Sequence, residues 1–181
     1  PISDLVDDAF YNIAFLLEEQ GHADSAKSFY SKIETEFAGS PLLPDVYMRL
    51  GEYYFNPPHN DLATATSYYQ KVLNFKDSPR YDEALYRMGW SFYRSSEYSK
   101  AIPYFTQLAD DVDLVQPHDP LSNYSNPSLV DESVEYIGLS FLDYGGVQAA
   151  KNYLTEIGGR DYGVNVFRRM GDAYMNEKED Y

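Results

Sequence analysis

A short phrase recurs five times along this chain, and it constrains the fold more than any other feature. An apolar residue is followed by a small one and, three positions later, by Leu or an aromatic. The copies are Ile13-Ala14 with Leu17, Leu50-Gly51 with Tyr54, Met88-Gly89 with Phe92, Ile137-Gly138 with Phe141, and Met170-Gly171 with Tyr174. Downstream of the first four copies, an Ala is followed by an aromatic or Leu four later, then by an apolar residue three after that. These sets are Ala26, Tyr30, Ile33; Ala65, Tyr69, Val72; Ala101, Phe105, Leu108; and Ala150, Leu154, Ile157. Spacings of three and four place the residues on one helical stripe. A small residue in the first helix and Ala in the second let the two helices approach closely. Neither helix can bury its stripe alone, so each hairpin must stack on its neighbours. Gly within a helix costs up to about 1 kcal/mol relative to Ala, which close packing has to offset.

Breaker residues divide the chain into hairpins. The first is expected over about 5–19 and 23–37, turning at Gln20-Gly21-His22. The second is expected over about 44–56 and 61–75, around the long turn Asn56-Pro57-Pro58-His59-Asn60. The third covers about 80–94 and 98–111, and the fourth about 128–143 and 147–157, joined at Gly145-Gly146. A fifth first helix follows over about 162–176. The repeats therefore run about 5–41, 44–79, 80–112 and 128–160, with a half repeat at 162–181, in a single array over 1–181. From Gly89 to Gly138 is 49 residues, against 38 from Gly51 to Gly89. The excess is the stretch 113–127, where Pro117, Pro120 and Pro127 forbid a continuous helix; a surface loop is expected there. Glu177-Lys178-Glu179-Asp180-Tyr181 reads as a turn into a further helix, and the chain opens at Pro1 without Met. The start leads to the expectation of a removed signal or anchor, and the ending to that of a fragment of a longer array or a disordered end.

These phrases resemble the tetratricopeptide (TPR) family, most closely in Leu85-Tyr86-Arg87-Met88-Gly89-Trp90 followed by Tyr98-Ser99-Lys100-Ala101-Ile102. The resemblance covers about 7–181. It departs from the family where Ile33, Val72, Leu108 and Ile157 stand at a position that is often small, and where the usual terminal Pro is displaced to Pro41 and Pro79. These departures, with the ending Glu36-Phe37-Ala38-Gly39-Ser40-Pro41, bring the chain nearer to bacterial cell-envelope members, such as Tol-system coordinators and outer-membrane assembly lipoproteins. The resemblance implies an all-α, right-handed superhelical array of antiparallel helix hairpins, a TPR-like α-solenoid whose first helices line a concave face. Inward positions are then Tyr11, Phe15 and Glu18; Met48, Glu52 and Phe55; Tyr86, Trp90 and Tyr93; Glu135, Leu139 and Leu142; and Arg168 and Asp172. Trp, Tyr and Arg dominate binding hot spots, so Tyr11, Phe15, Met48, Glu52, Phe55, Tyr86, Trp90, Tyr93, Leu139 and Arg168 form the candidate partner-binding set. Members that grip an acidic tail use Lys, Asn and Arg at such positions; Tyr11, Phe15, Met48 and Glu52 cannot do so.

Charge narrows the partner. Fourteen Lys and Arg face 29 Asp and Glu, a formal net charge of −15. That field repels phosphate backbones and anionic membrane surfaces, so a protein or peptide with a basic or amphipathic segment is expected, and no nucleic acid. No apolar run reaches the roughly 18–20 residues that cross a bilayer, so no direct membrane insertion is expected. Cysteine is absent, which excludes disulfides and thiolate chemistry and fits a periplasm or a cytoplasm. The resemblance favours a periplasmic or cell-envelope location, with the cytoplasm as alternative. Nineteen tyrosines suit half-buried packing and binding surfaces, since each pairs an apolar ring with a polar tip.

Nothing assembles a catalytic or metal site. His22, His59 and His118 fall in separate expected loops, and zinc would lack its ligands. Asp7-Asp8 is read as charge complementing a helix N-terminus, and Asp110-Asp111 as solvated carboxylates at a helix C-terminus. Gly145-Gly146 and Gly158-Gly159 lack the Lys and Ser/Thr of a phosphate loop and read as turns. The chain is therefore expected not to be an enzyme, with no cofactor and no metal. It is read as a protein–protein interaction scaffold, within a larger bacterial envelope complex. The alternatives are an accessory or substrate-recruiting region of a larger enzyme, and a self-assembling scaffold.

Overall fold

The structure, a computed structural model, describes residues 2–115 and 127–179. Among these residues the chain forms nine helices and no strand. They are α1 (Ile2–Glu19), α2 (Ala23–Glu36), α3 (Leu43–Phe55), α4 (Leu62–Val72), α5 (Tyr81–Arg94), α6 (Tyr98–Val115), α7 (Pro127–Asp143), α8 (Gly146–Glu156) and α9 (Gly163–Glu179). The chain packs as two compact units, residues 1–87 and 88–181, with the boundary inside α5.

In the first unit α1 packs on α2, α2 on α3 and α3 on α4. The phrase residues make its core: Ala14, Ala26, Tyr30, Ile33 and Leu50 cluster with Leu43 and Val46, all buried. The turn before α4 closes on Asp61, whose carboxylate accepts the Thr64 backbone N–H at 3.0 Å, satisfying one of the free donors of the first turn. In α3 and α5 the small residue has a geometric reason. A Cβ on Gly51 would stand 2.4 Å from the Tyr69 ring, and one on Gly89 would stand 2.6 Å from the Phe105 ring. The aromatic of the second helix therefore lies close against the bare backbone of the first.

In the second unit α6 and α9 both pack on α7, and α8 packs on α7 and α9. Ala101, Phe105 and Leu108 are buried, as are Ile137, Phe141, Ala150 and Val166. The fourth hairpin carries Leu154 where the earlier ones carry an aromatic, and Gly138 is crowded instead by the Val166 carbonyl oxygen of α9, 3.0 Å from a would-be Cβ. Gly171 has nothing within 4 Å of that point, and Tyr174 is 51% exposed. Gly145-Gly146 turns with both residues at positive φ (85° and 65°), which Gly adopts without strain.

Several expectations need correction. Helix α1 begins at Ile2, so Asp7-Asp8 lies beyond the first turn, where the dipole has faded; Asp7 is buried. Helix α4 stops at Val72, and Leu73, Asn74 and Phe75 turn instead of extending it. Helix α6 runs on through Val115, and Pro127 opens α7, where a missing N–H costs nothing. The expected loop 113–127 is thus helical at both margins, and its interior 116–126, with Pro117, His118 and Pro120, lies outside the described residues. The expected turn at Glu177 is helical through Glu179. Asp110 is not a solvated carboxylate at a helix end. The Arg160 guanidinium donates to both its oxygens at 2.7 Å, and the Tyr162 hydroxyl donates to Oδ1 at 2.7 Å.

Candidate protein-interaction site

The candidate residues occupy a repeating slot. Counted from the small residue of a first helix, positions +1 and +4 lie on one face. Opposite them come the aromatic position of the second helix and a residue two before the small residue of the following first helix. In the first hairpin these are Phe15, Glu18, Tyr30 and Arg49; in the second, Glu52, Phe55, Tyr69 and Arg87. Phe and Glu have exchanged places, yet the assembly is the same. The Tyr30 hydroxyl donates to Glu18 Oε2 at 3.0 Å, Arg49 lies 3.5 Å from Glu18 Oε1, and its guanidinium stands over the Phe15 ring, 5.4 Å from the centroid. The Tyr69 hydroxyl donates to Glu52 Oε1 at 2.7 Å, Arg87 Nε lies 2.7 Å from the same oxygen, and its guanidinium stands 5.3 Å from the Phe55 ring centroid. Burial pushes both tyrosine hydroxyls well above the usual tyrosine value, and the facing Glu carboxylate adds to the shift.

In the third hairpin the four slot positions hold rings: Trp90, Tyr93, Phe105 and Tyr136. Trp90 and Tyr136 lie 4.4 Å apart between centroids, and Tyr93 and Tyr136 5.0 Å apart at 72°. Trp90 meets Tyr93 edge-on at 5.8 Å, and Tyr136 stacks on the buried Phe105 at 5.6 Å. Trp90, Tyr93 and Tyr136 are half-buried. Burial raises the Tyr93 hydroxyl pKa, and the Asp143 carboxylate adds to it. Burial likewise raises that of Tyr136, with smaller contributions from Tyr93, Glu135 and Glu132. In the fourth hairpin the slot holds Leu139, Leu142, Leu154 and Arg169, and Arg169 reaches Glu135 at 3.7 Å.

The ten candidates therefore differ in what a partner could reach. Phe15 is 37% exposed, Arg168 is exposed, and Tyr11, Trp90, Tyr93 and Leu139 are half-buried. Met48, Phe55 and Tyr86 are 3%, 7% and 9% exposed, so their side chains serve packing. Glu52 is half-buried and occupied by Tyr69 and Arg87. Tyr136, Arg49 and Arg87 were missed by sequence reasoning, although a register of two residues before each small residue marks all three. In the first unit a cavity of about 170 Å³ opens beside Tyr30 and Arg49, walled by Lys27, Tyr53, Pro58 and His59. The long turn Asn56–Asn60 shapes its rim, and His59 lies on Tyr53 with 4.2 Å between ring centroids. No helix among the described residues is long and apolar enough to cross a membrane.

Residues 8–40 and 83–112, corresponding to the first and third hairpins, match the tetratricopeptide repeat family. No curated protein matches the sequence. Among solved structures, the crystal structure of BtubC (BKLC) from P. vanneervenii is similar, with a TM-score of 0.63 and 16% identity over 93% of this chain and 65% of that one. At that identity the likeness shows the fold alone, and this chain spans about two thirds of the length of that protein. The fold class is all-α, an array of helix hairpins of the tetratricopeptide type. Repeats of this kind generally mediate protein–protein interaction.

Proposed function

We propose that this chain is a non-catalytic interaction scaffold, and that the face carried by its first helices receives a segment of a partner protein. The observation that carries the reading is the half-buried group of Trp90, Tyr93 and Tyr136, three rings that touch one another and remain open to solvent on one side. Aromatic groups of this kind concentrate binding energy, because a large ring surface is desolvated with few rotors frozen. Leu139 extends the apolar surface, Tyr11 and Phe15 offer a second one in the first hairpin, and Arg168 is a rim residue. Met48, Phe55 and Tyr86 hold the helices that present these groups. A net charge of −15 favours a basic or amphipathic segment and raises its association rate. The bacterial cell-envelope setting rests on the sequence resemblance.

The test is affinity capture from a cell-envelope extract, then titration of the captured partner against Trp90→Ala and Tyr93→Ala. Each substitution is expected to weaken binding by about 2 kcal/mol or more, with unchanged helical circular dichroism. Affinity that is indifferent to both substitutions removes this face from the proposal.

A further inference from the structure

The cavity of about 170 Å³ in the first unit has mostly apolar walls and one charged group without a partner. Ala23 and Ala26 of α2 contribute to the walls, as do Tyr53, Pro57, Pro58 and His59 from the end of α3 and the turn after it. These walls are held in place. The Tyr53 hydroxyl donates to Asp24 Oδ1 at 2.5 Å, and His59 lies on the Tyr53 ring with 4.2 Å between centroids. The backbone N–H groups of His59 and Asn60 both donate to the Asn56 carbonyl, at 3.1 and 3.2 Å. The volume falls below the roughly 300–1,000 Å³ that holds a whole drug-sized ligand, so the cavity suits a single side chain.

The charges around it decide which side chain. Glu18 accepts from Tyr30 and pairs with Arg49. Glu52 accepts from Tyr69 and pairs with Arg87. Asp24 accepts from Tyr53. Lys27 lines the cavity, is half-buried, and has no hydrogen bond or ion pair among the described residues. An entering cation would therefore compete with donors already in place, whereas an entering carboxylate meets an ammonium that has no acceptor.

We propose that this cavity takes one aromatic side chain of a partner segment, with an acidic residue next to it that pairs with Lys27. A ring desolvates against the Ala, Pro and Tyr surfaces, and its neighbour supplies the missing carboxylate. The pairing is a local exception to the net charge of −15. It gives register to a segment that is otherwise basic, because long-range attraction alone does not fix where such a segment stops. The site goes beyond the aromatic surface at Trp90 and does not rest on it.

The probes are the peptides acetyl-Gly-Phe-Glu-Gly-amide, its Phe→Ala form and its Glu→Gln form, each titrated onto the full chain. Amide chemical shifts of residues 23–27 and 56–59 give the location and the affinity. The Phe→Ala peptide is expected to bind at least about ten-fold more weakly, from the lost ring burial. The Glu→Gln peptide is expected to bind about three-fold more weakly, the size of a partly exposed ion pair. Lys27→Met is expected to erase the difference between Glu and Gln while keeping that between Phe and Ala. Ala23→Phe fills the cavity from an exposed position at the start of α2 and is expected to abolish binding with unchanged helical circular dichroism. Equal affinity for the Phe and Ala peptides, a Glu preference that survives Lys27→Met, or no shifts at these residues overturns the proposal. None of these results involves Trp90, so the aromatic face stands or falls by its own titration.

Discussion

The first two hairpins and the third occupy the same repeat register with opposite chemistry. Around Tyr30 and Tyr69 the slot is self-satisfied: a buried hydroxyl, a carboxylate and a guanidinium neutralise one another over a Phe ring. Around Phe105 the four slot positions all hold rings, with hydrogen and phenol standing where the other slots carry a hydroxyl and a guanidinium. The lesson is that a close-packed backbone contact fixes the geometry of a slot without fixing its polarity. Gly51 meets Tyr69 much as Gly89 meets Phe105. What lies above that contact is free to be an internal ion pair or an open aromatic surface. Internal pairing leaves little for a partner to gain, because removing a partner from a charge already paired strands it. An all-aromatic surface has no such debt.

The largest expected effect tests the shared geometry. Gly51→Ala places a methyl 2.4 Å from a fully buried ring whose hydroxyl is tied to Glu52, and Gly89→Ala does the same to Phe105. Overpacking of this kind costs about 1–3 kcal/mol, more than the gain in helix propensity. Gly171→Ala meets nothing and is expected to stabilise by up to about 1 kcal/mol. Urea unfolding of the three variants reads both signs; equal behaviour of Gly51 and Gly171 would contradict the packing account.

A smaller effect tests the polarity. Tyr69→Phe copies the third hairpin into the second and strips Glu52 of a donor, with an expected loss of about 1 kcal/mol. Phe105→Tyr makes the reverse change and brings a hydroxyl to a buried position that has no Glu at its +1 or +4 neighbours, for a loss of about 1–2 kcal/mol. If Phe105→Tyr proves neutral while Tyr69→Phe is costly, the third slot is wetter than its rings indicate.

The smallest effect appears at alkaline pH. Burial and the facing carboxylates hold the protons of Tyr30 and Tyr69 beyond the pH at which unfolded tyrosines lose theirs. Above about pH 10 the folded form therefore binds more protons than the unfolded one, and stability declines as pH rises, by a few tenths of a kcal/mol at onset. Thermal melts from pH 8 to 10.5 check this. The decline is expected to shrink in the Tyr69→Phe variant.

Much of this was legible in the one-dimensional pattern. Hairpin boundaries fell where Gly21, Pro57-Pro58 and Gly145-Gly146 interrupt the period, because those residues cannot continue a helix. The stripe residues Leu50, Tyr69, Phe105 and Ile137 are buried as their spacing demands. The candidate site was legible only in outline. Spacing places Phe55, Tyr86 and Trp90 on related faces, but it does not say that the first two are covered and the third is not. Asp110 lies some fifty residues from Arg160 and Tyr162 and meets them only because the turn after α8 folds back onto α6. No local signal announces such a pairing.

Periodicity, the small residues and the breakers were sufficient by themselves to determine an all-α array, since a stripe at helical spacing has one economical way to be buried. Tertiary structure alone decided which polar residues are spent inside the chain and which side chains are left open to solvent. The physical reason is that helical spacing specifies directions along one element, whereas neutralisation and exposure depend on what a second element, distant in sequence, brings within about 3 Å of each carboxylate and each ring.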